Sequence, residues 1–407
     1  MNNWIYGEAL PADIVWAGCV TYNNKFYCVG GKSSISGSYL NSVQIFDTVT
    51  NTWSTGTSMP VAKSEFGCVV NEGKIYCLGG IINGQTTSRV DIYDIETDSW
   101  QAGTDIPTPV HGFGCICTYD AIYIIGGAST LGGVYYNNVG IYLLNSNQWI
   151  SGTPMPTARE RLNCALHGTK IYCIGGINSG GSSLNSIEIY DVIDDSWAIG
   201  EPMPTPRRDF ACAAIGDKIY CTGGVLNYQS TTGIVALEIY DIQTNTWSTG
   251  ADLLTPVFGS GSLAFDDKFY CVGGNNSNVV QIYIPGSDAD AKITVQYLTQ
   301  DREKLQPDKV VEIVFGSAYS ETALDITGYE YLGYKINNGI LLGGSIVSIA
   351  EVLEDVTITF LYKKKENNGN NNDNCCCCDC KPYLTIPYCK CNKPLIELIS
   401  EQLSGHC

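Results

Sequence analysis

Short apolar runs of about five residues, each bounded by Gly, Asn, Asp or Ser, recur along the first 285 residues. Lys25-Phe26-Tyr27-Cys28-Val29 and Lys170-Ile171-Tyr172-Cys173-Ile174 are two of them. Their length and aromatic, β-branched content predict buried strands. Each run stops at a Gly-Gly pair, at 30-31, 79-80, 126-127, 175-176, 223-224 and 273-274, so the spacings are 49, 47, 49, 48 and 50 residues. A period of that size makes every copy one supersecondary unit. A further strand follows each of the first five pairs, as in Ile92-Tyr93-Asp94, Ile189-Tyr190-Asp191 and Ile239-Tyr240-Asp241, and after it comes Trp53, Trp100, Trp149, Trp197 or Trp247.

The sixth copy ends at Val280-Gln281-Ile282-Tyr283-Ile284 and meets Pro285-Gly286 with no Trp behind it. The missing strand is at the other end of the chain: Asn3-Trp4-Ile5-Tyr6-Gly7-Glu8-Ala9-Leu10-Pro11 matches Ser99-Trp100-Gln101-Ala102-Gly103-Thr104-Asp105-Ile106-Pro107. The N-terminus is therefore expected to supply the outer strand of the last unit and leave no open edge. The succession Gly-Gly, polar loop, Tyr-Asp, turn, Trp, Gly, Met-Pro resembles the kelch repeat. The resemblance implies an all-β fold with a six-bladed propeller over residues 1–286, each blade a four-stranded sheet.

Residues 291–366 leave the repeat. Ile293-Thr294-Val295-Gln296-Tyr297-Leu298 opens this segment, Val310 to Phe315 predicts a strand, Gly328-Tyr329 lies at the centre and Val356-Thr357-Ile358-Thr359-Phe360-Leu361-Tyr362 closes it. These elements resemble the mucin-binding-protein type of domain (MucBP), which implies a small β-grasp-like module of the kind repeated on bacterial surface proteins. Residues 367–374, Asn-Asn-Gly-Asn-Asn-Asn-Asp-Asn, have nothing to bury and read as a flexible linker. Residues 375–407 form a Cys-rich tail in which Pro394, Leu395, Ile396, Leu398, Ile399 and Leu403 suit one short amphipathic helix.

Composition narrows the function. Asp plus Glu number 41 against 23 Lys plus Arg, a net charge of −18 that repels phosphate backbones and anionic lipid, so nucleic acid is not an expected partner. No run approaches the roughly 18 apolar residues of a membrane span, and Met1-Asn2-Asn3-Trp4 has neither the basic nor the apolar region of a signal peptide. Cytoplasmic synthesis is the expectation.

The 19 cysteines divide into eleven in the repeats and eight in the tail. In the repeats, Cys19 and Cys28, Cys68 and Cys77, Cys164 and Cys173, and Cys212 and Cys221 bracket predicted hairpins. If Asn23-Asn24 is a two-residue turn, Cys19 and Cys28 oppose each other at a non-hydrogen-bonded site, where a disulfide is sterically allowed. Small buried thiols packing the inner strands are the alternative. Cys115 would face Ile124, with Cys117 extra, and Ser262 would face Cys271. The tail residues Cys375, Cys376, Cys377, Cys378, Cys380, Cys389, Cys391 and Cys407 either cross-link the chain to itself or to a matrix protein by disulfide exchange, or hold zinc or copper(I). Adjacent cysteines and Cys-Lys-Cys depart from zinc-site spacing.

Candidate ligand-binding residues come from the loops leading into the inner strands. Three positions before each inner-strand Cys (or Ser262) stand Trp16, Glu65, Gly112, Arg161, Asp209 and Gly259, and two positions earlier Ile14, Lys63, Val110, Arg159, Arg207 and Val257. With His111, Arg208 and Phe258 between them, these residues place Trp16, Lys63, Glu65, His111, Arg159, Arg161, Arg207, Arg208, Asp209 and Phe258 at the channel mouth. Charged groups beside aromatic platforms suit a glycan or protein ligand; inter-blade ion pairs are the structural alternative. Loops 33–39, 129–136 and 227–232 are rich in Ser, Gly, Asn and Tyr, as adaptable binding loops are.

Kelch-fold enzymes include copper oxidases and sialic acid mutarotases. His111, His167 and His406 are too few and too scattered for a copper radical site, whereas acid–base work of the mutarotase type needs only two placed groups. The sequence is read as a non-enzymatic binding and structural protein without cofactor, its tail anchoring it in a cell-surface or spore assembly. The alternatives are a carbohydrate-active enzyme and an intracellular scaffold with a metal-binding tail.

Overall fold

The computed structural model describes residues 4–130, 133–227, 229–275, 277–285, 291–313, 318–337, 339–349, 352 and 355–365. The Cys-rich tail, the Asn-rich linker and the expected tail helix lie outside the described residues. No helix occurs among those described.

Six antiparallel four-stranded sheets form the repeat region. Blade 1 runs from inner to outer strand through Gly18–Tyr22, Lys25–Val29, Val43–Asp47 and Thr52–Gly56, and blades 2 to 5 repeat it from inner strands that begin at Gly67, Gly114, Asn163 and Ala211. Blade 6 has Gly261–Phe265, Lys268–Val272 and Val280–Tyr283, and its outer strand is Trp4–Tyr6, paired as Trp4 with Tyr283 and Tyr6 with Gln281. Neighbouring inner strands touch in a closed circuit, with Gly261–Phe265 against Gly18–Tyr22. The ring therefore closes through its own N-terminus.

Two recurring devices join the blades. Each outer-strand Trp indole reaches back to a backbone carbonyl behind the preceding outer strand: Trp100 to Thr57 at 2.7 Å, Trp197 to Thr153 at 2.8 Å, Trp4 to Ala251 at 2.8 Å. The second Gly of each Gly-Gly pair donates its N–H to the lead-in loop of the next blade, Gly31 to Lys63 at 2.9 Å and, closing the circle, Gly274 to Ile14 at 2.8 Å. Gly30 has φ 59° and Gly31 φ 92°, and a Cβ on Gly30 would lie 2.8 Å from the Lys63 carbonyl oxygen. The pair is thus demanded both by backbone conformation and by the close approach of the next blade.

The inner hairpins have the expected register. Asn23 and Asn24 take φ 47° and 56°, the left-handed pair of a two-residue hairpin turn. Cys19 stands opposite Cys28, Cys68 opposite Cys77, Cys164 opposite Cys173, Cys212 opposite Cys221, Cys115 opposite Ile124 and Ser262 opposite Cys271. Facing Sγ atoms are 3.2 Å apart in blades 1 and 5 and 3.3 Å in blade 4, and all eleven described cysteines are free thiols. They also fill the seams between blades. A Cβ on Gly114 would come within 2.1 Å of Cys164 Sγ, and one on Gly261 within 2.3 Å of Cys19 Sγ. Burial, then the facing Cys164, raise the Cys173 thiol well above its ordinary value.

The second module is a four-stranded sheet ordered Lys309–Ile313, Ala291–Thr299, Val356–Lys364, Tyr329–Ile336, whose two central strands are parallel neighbours. Tyr319–Thr322 and Ile346–Ile349 pair as a separate ribbon. Alternation turns Ile293, Val295 and Tyr297 together with Val356, Ile358, Phe360 and Tyr362 into one buried cluster.

Candidate functional site

The lead-in residues Trp16, Glu65, Gly112, Arg161, Asp209 and Gly259 all have φ between 52° and 64°. Each donates its backbone N–H to the carbonyl of its counterpart in the preceding blade: Glu65 to Trp16 and Gly112 to Glu65 at 3.1 Å, Arg161 to Gly112, Asp209 to Arg161 at 3.2 Å, Gly259 to Asp209 and Trp16 to Gly259 at 2.7 Å. Six amides thus form a closed hydrogen-bonded circle around the channel. Left-handed Trp, Glu, Arg and Asp are each disfavoured by on the order of 1 kcal/mol or more, and the circle holds them there.

Side chains from successive blades meet on this circle. The Arg161 guanidinium lies 2.9 Å from Glu65 and 3.1 Å from Asp209, and 5.4 Å from the centre of the Trp16 ring, whose indole donates to Asp209 at 3.2 Å. Arg208 pairs with the same Asp209. His111 Nε2 is 3.2 Å from Glu160, which is also 3.8 Å from Arg161, and Thr86 reaches His111 Nδ1 at 3.3 Å. Phe258 packs against Trp16 with ring centres 6.3 Å apart. Burial would lower the Arg161 guanidinium, but Asp209, Glu65 and Glu160 outweigh it and raise it. Burial lifts the Glu65 carboxyl above its ordinary value, with Arg161 opposing in part. A cavity of about 130 Å³ in the channel is lined by Trp16, Glu65, Arg161 and Asp209 together with Phe66, Phe113, Leu162 and Phe210.

Seven of the ten expected mouth residues are thus together: Trp16, Glu65, His111, Arg161, Arg208, Asp209 and Phe258. Lys63, Arg159 and Arg207 are not at the mouth. All three are fully buried inside their blades, where Lys63 meets Asp91 at 3.0 Å, Arg159 meets Glu188 and Arg207 meets Glu238 at 2.7 Å. The expectation treated residues two apart as sharing a face, and the left-handed turn at Glu65, Arg161 and Asp209 breaks that alternation. Burial lowers the Arg159 and Arg207 guanidinium groups, with Glu188 and Glu238 opposing. Glu160 was not anticipated, nor were these strand carboxylates. Among the described residues no group of three or more His, Cys, Asp or Glu could hold a metal ion, and the tail cysteines lie outside them.

The loops after the Gly-Gly pairs stand beside the lead-in loops, bridged at Val15 with Lys32, His111 with Ala128 and Arg208 with Val225. Three of them carry exposed apolar tips, Ile35, Val134 and Leu226, on alternate blades. Asp13 accepts from Ser34 N–H at 2.6 Å, from the Ser34 hydroxyl at 2.9 Å and from Ile35 N–H at 3.2 Å, which fixes the first loop.

Residues 5–176 match the family described as the KLHDC2/KLHL20/DRC7 Kelch-repeats domain, residues 158–204 and 206–254 match the Kelch motif, and residues 292–363 match the MucBP domain. The solved structure described as "Structure of YjhT" is similar with a TM-score of 0.60 and 15% identity, over 67% of this chain and 95% of its own. At that identity the likeness is one of fold. No curated protein matches the chain. No helix among the described residues is long and apolar enough to cross a membrane.

Proposed function

We propose that this chain, a kelch-repeat β-propeller with a MucBP domain after the repeats, is a non-enzymatic binding protein whose loop face takes a glycan or protein ligand. Both domain types point to a binding or interaction role. The observation that carries the finer reading is a channel mouth whose charged groups already pair with one another, with exposed apolar tips on the loops beside it. Arg161 and Arg208 are engaged by carboxylates, so recognition falls to Ile35, Val134 and Leu226 around them. A loop fixed in advance, as Asp13 fixes residues 33–35, loses less entropy on contact. The tail, in this reading, anchors the chain in a surface assembly through disulfides.

Full-length protein applied to a glycan array and to immobilised mucin tests the loop face. Retention is expected, with an Ile35→Asp/Val134→Asp/Leu226→Asp variant at least tenfold weaker while keeping wild-type circular dichroism. Equal retention of that variant, or none by wild type, sinks the assignment. The anchoring half predicts disulfide-linked multimers on non-reducing gels that vanish when residues 375–407 are deleted. A monomer unchanged by oxidation would overturn it.

One observation favours a second reading, a carbohydrate-active enzyme at the mouth: Glu65 and Arg161 lie 2.9 Å apart on the channel, two placed groups of the kind acid–base work on a sugar needs. Turnover of a sugar that disappears in Glu65→Gln would support it, and turnover unaltered in both Glu65→Gln and Arg161→Ala would remove it.

A further inference from the structure

Blade 3 lacks a buried feature that the other five blades share. Positions equivalent to the buried pairs Lys63 with Asp91, Arg159 with Glu188 and Arg207 with Glu238 hold Ile14 and Gln44 in blade 1 and Val257 and Gln281 in blade 6. Five blades therefore fill this space with at least one long polar side chain. Blade 3 has Val110 and Gly140 instead, and there the protein has a half-open cavity of about 330 Å³.

The neighbouring blades show what the missing groups do. The strand carboxylate or amide accepts from a loop N–H: Thr157 donates to Glu188 at 3.1 Å, Thr205 to Glu238 at 3.4 Å and Thr255 to Gln281 at 2.9 Å. The guanidinium donates to two carbonyls, Arg159 to Gly175 at 3.0 Å and Ser186 at 3.4 Å, Arg207 to Gly223 at 3.1 Å and Ala236 at 2.9 Å. In blade 3 the same backbone groups belong to Thr108, Gly126 and Asn138, and all three line the cavity. Neither Val110 nor Gly140 can supply the acceptor or the donors. The remaining wall is aromatic and aliphatic, chiefly Tyr136, Trp149 and Ile124.

We propose that this cavity is a binding site for a small neutral molecule bearing a primary carboxamide on a flat aromatic body. Its carbonyl takes the place of the Glu188 or Glu238 oxygen at the Thr108 N–H, and its NH₂ takes the place of the arginine donors at the Gly126 and Asn138 carbonyls. A neutral group is selected because Val110 and Gly140 leave no counter-charge, and an ion in a partly desolvated pocket without one is strongly disfavoured. The ring lies against Trp149 and Tyr136. Tyr136 ends the loop that carries Val134, but none of Ile35, Val134 and Leu226 lines the cavity, so this site stands or falls independently of the loop-face reading.

The test uses full-length protein labelled with 5-fluorotryptophan, whose seven tryptophans give separate fluorine resonances, Trp149 being assigned by Trp149→Phe. Benzamide is expected to shift the Trp149 signal saturably at about 10 mM or below, the range of a small fragment, with benzoate and benzamidinium at least tenfold weaker. Grafting the blade 4 set, Val110→Arg/Ile124→Cys/Gly140→Glu, should abolish the shift. Ile124 is included because a Cβ on Gly140 would come within 2.8 Å of its Cγ1. Ser151→Ile, which gives the outer strand the residue blade 4 has at Ile199, is a milder closure expected to weaken binding at least fivefold. The proposal is overturned if benzamide leaves Trp149 unmoved, if the charged analogues bind as well, or if either variant that folds binds benzamide like wild type.

Discussion

Arg159 and Glu188 form an ion pair inside blade 4 with side chains 0% and 3% exposed, while blade 3, built from the same repeat, has Val110 and Gly140 there. A buried pair of this kind is matched against its own desolvation, so removing one partner is far costlier than removing both. Arg159→Met and Glu188→Leu are each expected to destabilise by about 3–5 kcal/mol, and the double variant by much less than the sum. Urea denaturation of the four proteins in the cycle measures it, and additive losses would show that the pair is not coupled.

That pairing was legible in the sequence, although it takes the repeats laid side by side to see it. A cation at 63, 159 or 207 occurs only in blades with an acid at 91, 188 or 238, and the acid sits between apolar strand residues, as in Ile187-Glu188-Ile189. Assigning Lys63, Arg159 and Arg207 to the mouth missed this because it extended strand alternation through Glu65, Arg161 and Asp209, and no local signal announces a left-handed φ at Trp, Glu or Arg. Other features were set by period alone. The Gly-Gly spacing and the match of residues 3–11 to 99–107 contain the ring closure, and Asn23-Asn24 contains the hairpin register. What the sequence could not contain is the backbone circle from Trp16 to Gly259, since it arises only when six blades meet.

Trp4 closes the ring from a three-residue strand. Its indole donates to the Ala251 carbonyl at 2.8 Å, and its ring meets Tyr283 and Phe269 at 5.3 and 6.0 Å. Trp4→Ala is expected to cost about 3–5 kcal/mol, as for other buried Trp truncations. Deleting residues 1–10 would in addition expose the edge of Val280–Tyr283 and promote association. Thermal melts with light scattering measure both effects, and a deletion that stays monomeric with unchanged melting would show that closure does not depend on this strand.

The turns before the outer strands carry an acid-sensitive element. Asp98 accepts from Tyr93 at 2.5 Å and from Thr57 N–H at 2.7 Å, and Asp195 does the same with Tyr190 at 2.5 Å and Thr153 at 2.7 Å. The tyrosine hydrogen bond foremost, then the backbone one, hold both carboxyls below their ordinary value of 3.8. A depressed carboxyl contributes stability that is complete above its unfolded pKa and lost as pH falls through the folded one. Asn147 and Asn245 already fill this position in blades 3 and 5, accepting from Tyr142 and Tyr240. Asp98→Asn/Asp195→Asn should therefore fold, lose about 1 kcal/mol or less per site at neutral pH after screening, and show a flatter decline below pH 4. Parallel declines in wild type and variant would contradict it.

The facing cysteines are expected to be protected thiols. Cys28, Cys77, Cys173 and Cys221 are buried, and the facing Cys19, with burial, raises the Cys28 thiol well above its ordinary value, so neither access nor thiolate favours reaction. Iodoacetamide should spare the propeller in the native state and label it in denaturant without reductant. Labelling that requires reductant would instead identify hairpin staples, which peptide mapping would locate.

Glu65 should give a pH slope of the opposite sign to Asp98. Burial raises its carboxyl above the ordinary 4.5, and Arg161 at 2.9 Å offsets only part of that. A raised carboxyl contributes stability that is complete below its unfolded pKa and lost as pH rises through the folded one. The stability of wild type relative to Glu65→Gln is therefore expected to fall as pH rises above about 4.5 and to level off once the folded carboxyl has ionised. Arg161→Ala acts differently: it leaves Glu65 and Asp209 buried with less positive charge, costs about 3–5 kcal/mol at neutral pH, and should be relieved by acid, because protonating Glu65 removes the charge left uncompensated. Denaturation midpoints of the three proteins between pH 4 and 8 separate these effects, and a penalty for Arg161→Ala that does not shrink toward pH 4 would show that Glu65 is not the group it neutralises.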